Sequence, residues 1–232
     1  MLTINDLKKY AFKRRLKNLE LIRKDYLQDV VLFILYSQVS SKILFKGGTA
    51  IWKIMKGERF SEDIDLEIRK NMFFGNSLAE YLTLWGFDVE ILKEKKTSNA
   101  YYVKFKISAK NFGSSDLSIE AVFKDRTGII MPFNSPYPDI PNFDIRTLPP
   151  EIMAQEKLNA IINRNKARDV FDLYTILKNY NITLKYPNLG ELEKKIDEKK
   201  NEWPELKFFV VGKLPSFSSV KVFILNKISA AY

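Results

Sequence analysis

Six of the nine prolines fall between positions 132 and 150, at Pro132, Pro136, Pro138, Pro141, Pro149 and Pro150. Proline has no backbone N–H and fixes φ, so neither a helix interior nor a central strand can run through such a stretch. The sequence therefore predicts an extended connector here. The hydrophobic period changes across it, from short alternating segments before to helical spacing after. This pattern predicts an α+β protein, with a mixed-sheet α/β domain over residues 1–148 and a helical domain over 149–232.

Within the first part, apolar positions at Leu16, Leu19, Ile22, Tyr26, Val30 and Phe33 recur at steps of three and four and predict an amphipathic helix. Lys13, Arg14, Arg15, Lys17, Arg23 and Lys24 cluster around its start. Ile43 to Phe45 reads as a short strand ended by Gly47 and Gly48, followed by a helix over Thr49 to Lys56 with Thr49 as its N-cap. Ile64 to Ile68 alternates as a strand, and a helix over Ser77 to Trp85 stops at Gly86. Further strands are expected over 87–92, 101–107 and 117–123. After the prolines, helices are expected over 152–163, 167–178, 189–202 and 216–228, while Phe208 to Val211 could equally be a short strand.

Histidine and cysteine are both absent. Their absence excludes Ser-His and Cys-His triads, histidine-based zinc sites, disulfides and thiol redox chemistry. Catalysis is left to carboxylates, Lys, Arg, hydroxyls, backbone amides or a hard metal ion. The longest apolar run, Val30 to Tyr36, is far short of the roughly 20 residues of a membrane-spanning helix, and a cytoplasmic protein is expected. The net charge is +10, and the first 60 residues hold 13 basic and 5 acidic side chains, or +8 of that total. Such asymmetry fits an anionic partner, although basic segments are often only solvated faces.

The chemically informative block runs from Phe45-Lys46-Gly47-Gly48-Thr49-Ala50 to Arg59-Phe60-Ser61-Glu62-Asp63-Ile64-Asp65-Leu66. A strand that ends in two glycines at a helix start exposes backbone N–H groups where a phosphate can approach. On the next strand Asp63 and Asp65 are two apart, so both carboxylates project from one face and can share a hard cation such as Mg²⁺. In-line phosphoryl chemistry commonly uses a further acidic ligand. Glu120 is the candidate for it, with Asp116 and Asp125 as alternatives at the strand ends. Alone, a glycine pair is an ordinary turn and two aspartates are a solvated strand face; their ordered combination favours a metal and nucleotide site.

Downstream, a nearly continuous helix from Ile152 to Leu173 would align Lys157, Arg164, Arg168 and Asp172 on one cationic face. Lys157 would then neutralise a transferring phosphoryl group, with Arg168 held by Asp172 or itself meeting phosphate. The alternative is that Arg164, Arg168, Asp169 and Asp172 form a structural salt-bridge network. Trp52, Trp85 and Trp203 read as packing residues rather than base-stacking platforms. Ser61, with no histidine to activate it, reads as a loop hydroxyl supporting the aspartate strand.

These blocks resemble the AbiEii nucleotidyltransferase toxin family within the DNA polymerase beta-like superfamily. The resemblance rests on Lys-Gly-Gly-Thr-Ala, Arg-Phe-Ser-Glu-Asp-Ile-Asp-Leu, Glu156-Lys157-Leu158 and Lys166-Ala167-Arg168-Asp169-Val170-Phe171-Asp172-Leu173, all between Leu44 and Leu173. It implies that Gly47, Gly48 and Thr49, with Ser61 and Lys157, bind an NTP, and that Asp63 and Asp65 bind Mg²⁺. Asp169 matches an acidic position associated with activity. The expected reaction transfers NMP to an acceptor hydroxyl, that of a tRNA or other RNA 3′ end, in the cleft between the two halves. A separately encoded antitoxin would be a partner. A protein or small-molecule acceptor, or a non-catalytic nucleotide- or RNA-binding module, are the rival expectations.

Overall fold

The computed structural model describes residues 2–230, of Ala230 the backbone only. The chain divides into two compact units, one of residues up to Ala50 with Glu62–Leu148, the other of Ile51–Ser61 with the chain from Pro149 onward. The segment 51–61, expected in the first domain, thus belongs to the second unit.

The first unit opens with helix α1 (Ile4–Ala11), capped by a reciprocal Thr3–Asp6 box, and a 3₁₀ turn over Phe12–Arg14. Arg15 takes a left-handed conformation (φ 57°), so the chain restarts at Asn18, whose side chain accepts from the Glu20 and Leu21 N–H groups and caps α2 (Leu19–Ile34). A π-helical turn over Leu35–Val39 extends α2. Ile22, Tyr26, Leu27, Val30, Val31, Leu32 and Ile34 of α2 are buried, each worth about 1.5–3 kcal/mol against exposure.

The sheet contains β1 (Leu44–Lys46), β2 (Ile64–Ile68), β3 (Asp88–Lys96), β4 (Ala100–Ala109), β5 (Gly113–Phe123), β6 (Ile129–Phe133) and β7 (Phe143–Thr147), in the order β3-β4-β5-β2-β1-β7-β6. The pairs β2–β5 and β1–β7 are parallel and the rest antiparallel. Helix α3 (Gly47–Ile54) leaves β1 directly, and α4 (Gly75–Leu84) leads into β3. The proline-rich stretch is not all connector as expected. Pro132 lies within β6 at the sheet edge, where a missing N–H is tolerated, and Phe143–Thr147 pairs with both β6 and β1.

The second unit contains α5 (Pro150–Asn163), α6 (Ala167–Asn179), α7 (Leu189–Asp197), a 3₁₀ segment over Lys200–Phe208 and α8 (Phe217–Lys227). Two strands absent from the sequence expectation, β8 (Leu184–Tyr186) and β9 (Ile228–Ala230), pair in parallel. Phe208 closes the 3₁₀ segment, and Val210 makes an isolated bridge with Arg59. Trp203 is buried against Phe171 and Phe217, at centroid distances of 5.9 and 5.4 Å. Trp52 packs on Phe60, so these two tryptophans pack as expected.

Candidate active site

Alternation on β2 puts Asp63, Asp65 and Glu67 on one face while Ile64, Leu66 and Ile68 enter the core. Lys46 of β1 is the register partner of Asp65 on one side, and Glu120 of β5 on the other. Tyr102 of β4 follows opposite Glu120. One row of this polar face is thus Tyr102–Glu120–Asp65–Lys46. Beside it, Lys104 pairs with Asp116 at 2.7 Å, and the Tyr102 and Ser118 hydroxyls lie 3.2 Å apart. A cavity of about 440 Å³ opens next to Asp63, lined by Lys24, Glu62, Lys104, Asp116, Ser118 and neighbouring residues.

Gly47 is required here for a reason the glycine turn alone did not disclose. Its φ is +74°, and a Cβ built on it would come 1.9 Å from Asp65 Oδ2 and 2.6 Å from Asp65 Cγ. The missing side chain makes room for the Asp65 carboxylate at the start of α3, where backbone N–H groups have no helical acceptor. Helix α3 begins at Gly47, two residues before the expected Thr49 cap. Thr49 is fully buried and its hydroxyl donates to the Asp63 carbonyl. Its side chain thus ties α3 to the start of β2. Gly48 is buried and Ser61 half-buried in the loop before β2.

Of the candidates for a third carboxylate, Glu120 is exposed beside Asp65, Asp116 is paired with Lys104, and Asp125 is paired with Arg69 at 3.0 Å. Among the described residues no three acidic side chains are gathered closely enough to enclose an ion. Sequence reasoning passed over Glu67, the next residue in the same alternation. It is 1% exposed and held by Arg126 in a two-pronged contact and by Lys46 at 3.2 Å. Burial alone would raise its pKa, but these two cations leave it below the ordinary carboxylate value.

In the second unit the predicted continuous helix is broken. Residues 164–166 separate α5 from α6, with Arg164 extended at φ −144°, ψ 155°, so Lys157 and Asp172 meet across a helix hairpin rather than along one face. Lys157 Nζ lies 2.8 Å from Asp172 and 3.2 Å from Asp169. Asp169 also accepts two 2.7 Å bonds from Arg164. Asp172 accepts a bidentate pair from Arg59, at 2.8 and 2.9 Å, whereas Arg168 is exposed and does not hold it as expected. Asp169 and Asp172 are 0% and 2% exposed. Burial would raise the Asp172 pKa, but Arg59 and then Lys157 outweigh it and hold the carboxyl well below the usual range. The network foreseen for Arg164, Asp169 and Asp172 thus includes Lys157 and Arg59 as well.

The first 60 residues also prove less cationic at the surface than their count implies. Arg14 turns inward to Asp25 at 2.7 Å and Asp29 at 3.1 Å, both fully buried. Lys24 pairs with Glu62 at 2.7 Å, Lys46 with Glu67 and Arg59 with Asp172.

A strand-glycine-helix turn set against an Asp-x-Asp strand suits a phosphate group held beside a hard cation. The family model described as nucleotidyl transferase AbiEii toxin, type IV TA system, matches residues 31–228. The chain belongs to this family of nucleotidyltransferase toxins. MenT4, a nucleotidyltransferase toxin from Mycobacterium tuberculosis H37Rv, superposes with a TM-score of 0.64 at 14% identity, over 98% of this chain and 88% of that one. JHP933 from Helicobacter pylori gives 0.60 at 17% identity, over 89% of each chain. A putative nucleotidyltransferase from H. pylori gives 0.56 at 18%, over 91% of this chain and 94% of that one. At these identities the likeness speaks for the fold. No curated protein matches the sequence. Among the described residues no helix is long and apolar enough to cross a membrane.

Proposed function

We propose that this toxin transfers a nucleoside monophosphate from an NTP to the 3′-terminal hydroxyl of an RNA, tRNA above all, with Mg²⁺ as cofactor and a separately encoded antitoxin as its controlling partner. The observation that carries the reading is the Asp65 carboxylate seated over Gly47 at the first turn of α3, with Asp63 two residues earlier at the entry to β2. Mg²⁺ is commonly held by one or two carboxylates completed by substrate phosphates, so two aspartates suit it without a third protein ligand. Asp63 and Asp65 would hold the ion, with Glu120 next to Asp65 as the further carboxylate. When bound, Mg²⁺ neutralises phosphate charge and makes the acceptor hydroxyl easier to deprotonate.

The backbone N–H groups at Gly47 and Gly48 would receive the triphosphate. Thr49 keeps those groups in place through the Asp63 carbonyl, and Ser61 supports the loop. The acceptor oxygen forms a bond to the α-phosphorus as the bond to the β-phosphate bridging oxygen breaks, and pyrophosphate leaves. Lys157 has three N–H donors, two of them directed at Asp169 and Asp172. The third is the one we assign to a phosphate oxygen, with Asp169 acting by positioning Lys157.

The test incubates the protein with total tRNA, cell protein and small-molecule fractions, Mg²⁺ and each α-labelled NTP in turn, beside the Asp63→Ala/Asp65→Ala variant. Label on tRNA with the wild type only is the expected result, and it identifies the nucleotide. Label on protein or a small molecule would overturn the RNA acceptor. Equal toxicity of the variant in cells would overturn the enzymatic reading in favour of a binding module.

A further inference from the structure

Once the buried cations are set aside, an exposed basic stretch remains at the first helix, before the residues matched by the family model. Lys8, Lys9, Lys13 and Lys17 are exposed there, and in their midst Phe12 is 80% exposed. Covering such a ring with a partner releases free energy in proportion to the apolar area removed from water.

This ring stands on an anchored base. Leu7, Ala11 and Leu16 are buried on the opposite side of the segment. The turn Phe12–Arg14 is closed by the Arg15 N–H donating to the Phe12 carbonyl at 2.9 Å. Arg14, two residues after Phe12, is fixed inward by Asp25 and Asp29, themselves bonded by Tyr137 and Ser135 at 2.9 and 2.7 Å. With Ala11 and Arg14 committed to the interior, Phe12 is held outward. Lys8 and Lys9 precede it by four and three residues and so share its face of the helix. The nearby acid, Asp6, is engaged by Thr3 through its N–H at 3.0 Å and its hydroxyl at 2.6 Å.

An exposed aromatic ring within a run of exposed lysines suits a polyanion whose rings are free to stack, which is single-stranded nucleic acid. A duplex keeps its bases stacked on one another and offers the ring nothing but backbone. We infer that α1 and its 3₁₀ turn are a docking site for a single-stranded segment of the RNA acceptor. An unpaired base stacks on Phe12, and its flanking phosphates meet Lys8, Lys9, Lys13 and Lys17. This rests on the RNA acceptor proposed above and adds where the acceptor is gripped.

The test measures binding of a short fluorescein-labelled single-stranded RNA, and of the same sequence as duplex, to the full chain across a potassium chloride series. Phe12→Ala is expected to weaken single-strand binding about 5- to 100-fold while leaving duplex binding and the melting temperature unchanged. Replacing the four lysines by alanine is expected to flatten the slope of log affinity against log salt by up to about 3, from roughly 0.7 per phosphate. If the wild type binds RNA and both variants bind with the same affinity and slope, the site is wrong and the RNA acceptor stands. If the wild type binds no RNA while label reaches another acceptor, the acceptor reading fails and this site with it. If RNA binding is untouched but Phe12→Ala abolishes recovery of a bound protein, the surface is a protein interface and the inference is overturned.

Discussion

In the first unit Asp63 and Asp65 keep their carboxylates half-buried on an open strand face, whereas in the second Asp169 and Asp172 are enclosed with Lys157, Arg164 and Arg59. The residue types are the same, and their surroundings assign them different work. A carboxylate at the edge of solvent can exchange partners during a reaction. One held by two cations and closed off from water is fixed, and removing any member leaves an uncompensated charge. Lys157 belongs to the second description, its ammonium held between two buried acids.

The strongest way to break this contrast is to remove Asp63 and Asp65 together. Labelled transfer should fall on the order of 10³-fold or more, several kcal/mol of barrier, with a melting temperature close to wild type by calorimetry. A large loss of stability instead would make the β2 pair structural, like its counterpart. Asp172→Ala should behave in the opposite sense. It strands Arg59 and Lys157 and should cost about 3–5 kcal/mol in denaturant unfolding.

A pH series sharpens the same point. Asp172 has its folded pKa depressed below the ordinary value of 3.8, so its contribution is fully present above that value and is lost as pH falls below it. The wild type should therefore lose stability steeply below about pH 4 by circular dichroism, and Asp172→Asn should flatten that limb. Gly47→Ala sets a side chain against Asp65 at a positive φ and should cost about 1–3 kcal/mol, with activity falling further than stability. Thr49→Val removes the hydroxyl bond to the Asp63 carbonyl and should cost about 1 kcal/mol in unfolding, with a modest fall in transfer rate.

What could be read from the sequence was local. The Asp-x-Asp strand follows from period-two alternation, and a helix after the two glycines from the apolar run they end, although it starts at Gly47 rather than at Thr49. The strands 101–107 and 117–123 were found because β-branched and aromatic residues mark a half-buried pleat. Partnerships across the chain were not readable. Nothing near Arg59 announces Asp172, 113 residues away, and nothing near Arg14 distinguishes it from Lys13, although one is buried against two aspartates and the other exposed. The cationic face expected along 152–173 failed because residues 164–166, extended at Arg164 and Lys166, interrupt the helix and reset its phase. The edge strand β6 was hidden by Pro132, which argues against a central strand and is silent about an edge.

The return of residues 51–61 to the second unit has a consequence for synthesis. Arg59 leaves the ribosome 113 residues before Asp172, a delay of roughly 6–23 s at about 5–20 residues per second. Through that interval the segment between α3 and β2 lacks the carboxylate that Arg59 binds in the folded unit. The second unit therefore cannot pair Arg59 with Asp172 until α6 has been made, and truncation at residue 148 would remove from 51–61 the rest of the unit it belongs to.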